Sequence, residues 1–251
     1  VENVQVPAAK AKNPYSSSIY STEAKLTTDN INKNTDSDEI ITGTCGDNVN
    51  FKLNKDTGEL FIYGSGKMID LIYSDKSPWN DFKNDIYTVV INDSVTSIGD
   101  YAFKDCGKIT SVSISVSVTS IGKYAFYHNS KLSSINIPNN VKYIGKEAFY
   151  NCSSLTSVNL PNNITLIEYN TFCECSKLSS ITIPESVTSI GQSAFDSTGL
   201  TSIFIPKSVH SIGEYAFRNC SKLEVINVSK ENQAYMSKDG VLFKHDRTEL
   251  I

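Results

Sequence analysis

The 251-residue chain is poor in the side chains on which most protein chemistry runs, with three histidines, six cysteines, two methionines and a single tryptophan. The cysteines show no CxxC or other zinc-ligand spacing, so the sequence codes neither a metal set nor a redox dithiol. It holds no HExxH motif, no nucleophile elbow and no GxxxxGK phosphate loop. Excess positive charge is also missing. The formal net charge is −4 and the pI about 5.4, which removes the electrostatic term that dominates nucleic-acid binding. No run approaches eighteen consecutive apolar residues, so no membrane-spanning helix is coded. The chain opens on Val1 with neither an initiator methionine nor an apolar signal core, which fits a processed secreted chain and a trimmed one alike. The expectation is a non-enzymatic protein with no cofactor and no nucleic-acid partner.

What the chain does have is one phrase, repeated. Val95-Thr-Ser-Ile98-Gly99 precedes Ala102-Phe103, Val118-Thr-Ser-Ile121-Gly122 precedes Ala125-Phe126, and the series runs on to Val209-His-Ser-Ile212-Gly213 before Ala216-Phe217. The opening residues Val95, Val118, Val141, Ile164, Val187 and Val209 are spaced by 23, 23, 23, 23 and 22 positions. A fixed period of this length predicts a solenoid. Stacked units contact only their neighbours and generate a long face rather than a pocket, which is the geometry of a binding module.

Within each unit, residues such as Ile135 and Ile137 share one side of a strand by the period of two, and Pro138 ends it. A second short extended piece, Val141 to Ile144, follows. The stretch from Lys146 to Cys152 then reads as one helical or 3₁₀ turn. Ahead of the repeats, residues 1–38 are rich in Ser, Thr, Asn, Asp and Lys and predict a disordered linker. Residues 39–94 predict an N-terminal β cap, with Val49–Leu53 and Leu60–Tyr63 paired as a hairpin and Trp79 in its core. Asn54, Asp56 and Gly58 lack the distal glutamate of a calcium loop and read as the hairpin turn, and Gly64-Ser65-Gly66-Lys67 as a turn between cap strands. Six repeats fill 95–228. Residues 229–251 predict a C-terminal hairpin cut off in its second strand at Glu249–Ile251, so that the natural chain is expected to continue.

Cys106, Cys152, Cys175 and Cys220 each stand three residues after the repeat Phe, with Asn129 and Thr198 in the other copies. That placement predicts a ladder of buried thiols, since parallel side chains do not point at one another as a disulfide requires. Cys45 and Cys173 lie outside it. His128 and His210 occupy positions expected to be solvated. Repeat four departs from the phrase, with Glu168 for Gly and Thr171 for Ala, and a conformational cost is expected if the Gly position needs positive φ.

The segments Leu132-x-x-Ile135-x-Ile137, Leu155-x-x-Val158-x-Leu160 and Leu178-x-x-Ile181-x-Ile183 share the LxxLxL core of leucine-rich repeats. The full phrase, Val-x-x-Ile-Gly-x-x-Ala-Phe-x-x-Cys-x-x-Leu-x-x-Ile-x-Ile-Pro, resembles the BspA-like leucine-rich repeat family from Val95 to Val228. The resemblance implies a β-rich leucine-rich-repeat solenoid of parallel stacked strands. It also implies a secreted or cell-surface protein, as in bacteria and some parasitic protists, that adheres to matrix proteins or other cells.

Candidate binding residues are those that the repeat turns outward. Ser113, Asn136, Asn159, Thr182, Phe204 and Asn227 form one stripe between the inward strand residues, beside a second of Ser111, Ser134, Ser157, Ser180, Ser202 and Val225. Phe204 is the aromatic exception and a candidate contact anchor. Tyr124, Tyr127, Tyr143 and Tyr150 recur close in register and form a second candidate patch. Three readings follow: an adhesin gripping an extracellular protein through its strand face, a carbohydrate-binding module, and a spacer that presents another domain.

Overall fold

The computed structural model describes residues 39–73 and 76–245; the linker expected over 1–38 and the strand expected at Glu249–Ile251 lie outside them. From residue 39 the backbone winds as a coil with three walls: a front strand ladder, a second strand ladder and a layer of turns. The front ladder starts in the antiparallel hairpin Val49–Asn54 and Glu59–Gly64, flanked by Ile40–Thr44. The hairpin turn is held by Asn54, whose side-chain oxygen accepts from the amides of Asp56 and Thr57 at 2.9 and 3.1 Å, with Gly58 at φ 67°. Thr88–Ile91 then pairs parallel with Glu59–Gly64 on one side and with Ser111–Ile114 on the other. The rungs Ser134–Asn136, Ser157–Asn159 and Ser180–Ile181 follow as one parallel group, and Ser202–Ile205 with Val225–Val228 as another. The inward residues Val112, Ile135, Val158, Ile181 and Ile203 are buried, and the residues beside them are exposed, as a period of two requires.

The second ladder comes from the phrase Val-Thr-Ser-Ile-Gly. Val95–Ile98, Ser120–Ile121 and Tyr143–Ile144 pair in parallel, and the Gly122 and Gly145 amides donate to Ile98 and Ile121 carbonyls, each at 2.9 Å. The glycine position does not need positive φ: Gly122 and Gly145 lie outside the left-handed region. Their role is close approach. A Cβ on Gly145 would sit 2.5 Å from the Lys123 amide nitrogen of the preceding turn, and one on Gly122 2.5 Å from that of Asp100. Repeat four shows the consequence of lacking this glycine. Leu166–Ile167 pairs forward with Ser189–Ile190 but not back with Tyr143–Ile144, so among the described residues the second ladder breaks where Glu168 stands.

The turn layer corrects a second expectation. Lys146 to Cys152 and its counterparts form neither α-helix nor 3₁₀ helix; the one helical segment described is the 3₁₀ turn Asn80–Phe82 in the cap. Two residues per turn instead adopt left-handed conformations: Tyr101 and Asp105, Tyr124 and His128, Glu147 and Asn151, and so on to Tyr215 and Asn219, with φ between 52° and 62°. This flips alternate amides outward along the coil axis. In repeat two, Tyr124, Phe126 and His128 donate to the carbonyls of Lys146, Ala148 and Tyr150 in the next repeat, at 3.0, 2.8 and 2.9 Å. The amides between them, such as Tyr127 and Asn129, donate back to Tyr124 and Phe126 within the same turn. A helix would direct every amide backward within its own repeat, and the turn wall would then have no bonds to its neighbour.

The repeat phenylalanines run through the core as a continuous stack. Trp79, Phe103, Phe126, Phe149, Phe172, Phe195 and Phe217 follow one another at centroid separations of 5.1 to 5.7 Å, with ring planes within 16°. Trp79 therefore ends the stack at the N-terminal side, with Phe51 edge-on behind it at 5.5 Å. At the other end Tyr235–Lys238 pairs antiparallel with Val241–Lys244. Val241–Lys244 is thus the second strand of a hairpin, where the sequence reading made it the first. Asn232 anchors this hairpin: its side chain donates to the Pro206 and Val209 carbonyls, both at 2.8 Å, and accepts from the Ala234 and Tyr235 amides.

If backbone contact is what the glycine prevents, Gly145→Ala should destabilise the chain by about 1–3 kcal/mol, the usual cost of forcing atoms into a packed site. Glu168→Gly should let the two halves of the second ladder join and raise the thermal midpoint. A denaturation series on both variants measures this; an unchanged midpoint for Glu168→Gly would assign the break to another cause.

Candidate functional site

The front wall presents every residue of the expected stripe to solvent: Ser113, Asn136, Asn159, Thr182, Phe204 and Asn227 are all exposed. Register holds them in line, with Asn136 opposite Asn159 and Phe204 opposite Asn227. Phe204 is 51% exposed, unusual for a phenylalanine with backbone pairing on its strand. Toward the N-terminus the same stripe continues through Val90 and Phe61, which pair in register with Ser113 and with each other. Phe61 stacks on Tyr63 at 5.6 Å. The 23-residue period could have carried the stripe into Val90, but Phe61 lies in the hairpin and only strand pairing places it there.

Two seams interrupt the front ladder. Ser111–Ile114 is not bonded as a rung to Ser134–Asn136, and Ser180–Ile181 is not bonded to Ser202–Ile205. Over the first seam lies a shallow groove of about 290 Å³ lined by Ser111, Val112, Ser134, Ile135, Asn136, Ser157 and Asn159. Its rim is hydroxyl and amide, and its floor is the edge of two core side chains.

The tyrosine patch divides. Tyr124, Tyr127 and Tyr150 meet on the turn wall, whereas Tyr143 belongs to the second ladder, where it pairs in register with Ser120. Tyr124 stacks on Tyr101 at 4.6 Å and 7°, and Tyr127 on Tyr150 at 4.9 Å and 14°. The Tyr124 hydroxyl donates to Glu147 at 2.9 Å and the Tyr150 hydroxyl to Glu174 at 2.5 Å. Burial and then the Glu147 bond hold the Tyr124 hydroxyl well above its ordinary pKa; at Tyr150 the Glu174 bond is the larger cause. His128 is not free in solvent as expected, for it is half-buried, stacked on Tyr127 at 4.0 Å and 3.2 Å from Asp105, while His210 is exposed. Tyr101 and the two glutamates were not singled out from the sequence, although Tyr101 and Tyr124 are one period apart.

All six cysteines are free thiols. The ladder cysteines do more than fill space: Cys152, Cys175 and Cys220 donate to the Phe126, Phe149 and Phe195 carbonyls of the preceding repeat at 3.2, 3.2 and 3.0 Å. Asn129, at the same repeat position, donates to Phe103 in the same way at 2.8 Å. Burial pushes the thiols of Cys106 and Cys152 up to about 12. Near the C-terminal end the turn wall buries a carboxylate, Asp196, which receives Arg218 Nε at 2.8 Å, Ser197 at 2.8 Å and Asn219 at 3.1 Å. Among the described residues no three His, Cys, Asp or Glu gather as a metal set, and no helix is long and apolar enough to cross a membrane.

Comparison with known proteins bears on what such a wall serves. Residues 80–172 and 144–239 match the family described as BspA type leucine rich repeat region, in six copies. A leucine-rich repeat protein from Eubacterium ventriosum shares 29% identity over 84% of this chain, with a TM-score of 0.55. A leucine rich cell surface protein from Faecalibacterium prausnitzii shares 30% over 83%, with a TM-score of 0.63. The chain spans 50% and 59% of those two proteins. The pneumococcal vaccine antigen PcpA, at 22% identity over 86% of this chain and 56% of its own, shares the fold with a TM-score of 0.51. No curated protein matches the sequence.

Thiol chemistry gives a direct check on the core. In native buffer Cys106, Cys152 and Cys175 should resist Ellman's reagent, and all six should titrate after denaturation; fewer than six would mean a disulfide. The unfolded chain releases thiol protons near pH 9 while Cys106 and Cys152 keep theirs to about 12. Stability from these groups is therefore complete below pH 9 and falls as pH rises from there toward 12.

Proposed function

Because the chain belongs to the BspA-type leucine-rich repeat family, we propose that it is a non-enzymatic binding domain, secreted or displayed at a cell surface, that holds a protein partner on its front wall. The observation that carries this is Phe204, a half-exposed aromatic fixed on a regular strand within a polar stripe. A rigid aromatic loses little conformational freedom on contact and removes much apolar area from water, which makes it an effective anchor. Phe61 and Val90 supply apolar surface at the far end of the same stripe. Between them Ser113, Asn136, Asn159 and Thr182 offer hydrogen bonds without a charge to desolvate.

The family supports a role built on the repeats, and the cell-surface protein of Faecalibacterium prausnitzii supports the location. A sugar platform on the tyrosines has less support. A sugar packs on a ring face, and in Tyr101–Tyr124 and Tyr127–Tyr150 the faces are turned to each other, with Lys146 lying 5.6 Å from the Tyr124 centroid.

Immobilised full-length chain should retain a matrix or cell-surface protein saturably, and Phe204→Ala should weaken that binding about tenfold or more at unchanged thermal midpoint. Equal affinity of the variant would remove Phe204 as anchor, and retention of no protein would remove the adhesin reading.

A further inference from the structure

The net charge of the chain is negative, yet its carboxylates are not spread evenly. Asp100, Asp105, Glu147, Glu168, Glu174, Asp196 and Glu214 all lie on or beside the turn wall. In contrast, five of the six segments that lead into the front rungs and form them, residues 107–114, 130–137, 153–160, 176–183 and 199–205, contain no carboxylate, and the sixth, 221–228, carries Glu224. They contain lysines at one repeat position. Lys108, Lys131 and Lys177, followed by Lys222 in repeat six, are exposed and stand three residues ahead of Ser111, Ser134, Ser180 and Val225. Four lysines elsewhere are ion-paired, Lys55 with Glu39, Lys104 with Asp105, Lys123 with Asp100 and Lys207 with Glu231, whereas others such as Lys142 and Lys230 are not. Among the described residues none of the four row lysines makes such a pair.

We propose that this edge of the front wall is a binding site for a linear anionic polysaccharide. Stacked parallel rungs are about 4.8 Å apart, so Lys108 and Lys131 lie one rung from each other, Lys131 and Lys177 two, and Lys177 and Lys222 two. Four unpaired cations in a line suit a polymer carrying charges along its length better than a compact anion. Beside the row, Ser111, Ser134, Ser157, Asn136 and Asn159 line the groove over the first seam. Hydroxyl and amide groups at every rung match the hydroxyls of a sugar chain. An acidic peptide would be fixed by apolar side chains seated in a deep pocket, and the groove is shallow, with only the edges of Val112 and Ile135 at its floor. A single-stranded nucleic acid would need aromatic faces for its bases, and no aromatic side chain stands in the row or the groove. The site does not depend on Phe204, which lies outside the groove.

Heparin and polygalacturonate serve as sulfated and carboxylated probes, with neutral dextran and double-stranded DNA as controls, on the full chain at 0.05 to 0.3 M salt. The expected result is binding of at least one acidic polysaccharide, none of dextran, and weaker binding of DNA. Replacing Lys108, Lys131 and Lys177 together by Ala should weaken it by about tenfold or more, and the slope of log affinity against log salt should flatten by about one unit per lysine. Arginine at the same positions should keep binding, and Phe204→Ala should leave it unchanged. No binding of either acidic polymer, equal binding by the alanine variant, or DNA bound as tightly as the polysaccharide would overturn the proposal. Exposed lysines carry no packing, so the alanine variant should melt with the parent, and circular dichroism checks this.

Discussion

The structure depends on hydrogen bonds between repeats across the turn wall. A coil whose third wall was helical would satisfy its amides within each repeat and stack on that side by side-chain packing alone. Here two left-handed residues per turn redirect three amides to the next repeat, so that the turn wall stays bonded along the axis past the points where each strand ladder breaks. Left-handed conformations in ordinary residues cost roughly 1–2 kcal/mol each. Three additional bonds contribute about 0.5–1.5 kcal/mol each, which offsets that cost within a repeat. The same geometry brings the phenylalanines into register one above another and places the ladder thiols under the carbonyls of the previous turn.

Function follows from how the walls divide the surface. Much of the turn wall is occupied with itself: Tyr101 and Tyr127 stack on Tyr124 and Tyr150, Glu147 and Glu174 accept from tyrosine hydroxyls, Asp196 accepts from Arg218, and the backbone is paired forward. The second ladder is narrow and requires glycine at each step. The front wall is left with outward side chains that hold no structural task, which gives it freedom to vary. Its central rungs are neutral and polar, its ends are apolar, and one edge is basic. A chain of negative net charge can thus present a positive line, because the segments that carry Lys108, Lys131 and Lys177 hold no acid.

Much of this is legible in the sequence. The 23-residue period, the inward positions Ile135 and Ile137, the cysteine ladder and the hairpin turn at Asn54 all follow from spacing and local chemistry, which act over a few residues. The exposed stripe from Ser113 to Asn227 follows from the same alternation. The turn conformation did not, because Lys146–Cys152 has a composition compatible with a short helix and its left-handed residues are as varied as Tyr, His, Glu and Ser. Nor did the purpose of the glycine, since its reason lies in the backbone of the neighbouring repeat.

The sequence by itself determined the repeat, its family and which residues of a strand face inward, because periodicity is a property of the chain. Only the tertiary structure decided which columns become neighbours across walls. It separated Tyr143 from Tyr124, Tyr127 and Tyr150, carried the front stripe into Phe61, broke the ladders at Glu168 and at the two seams, and set the unpaired lysines along one edge. Those outcomes rest on contacts between residues twenty or more positions apart, where packing rather than local preference sets the geometry.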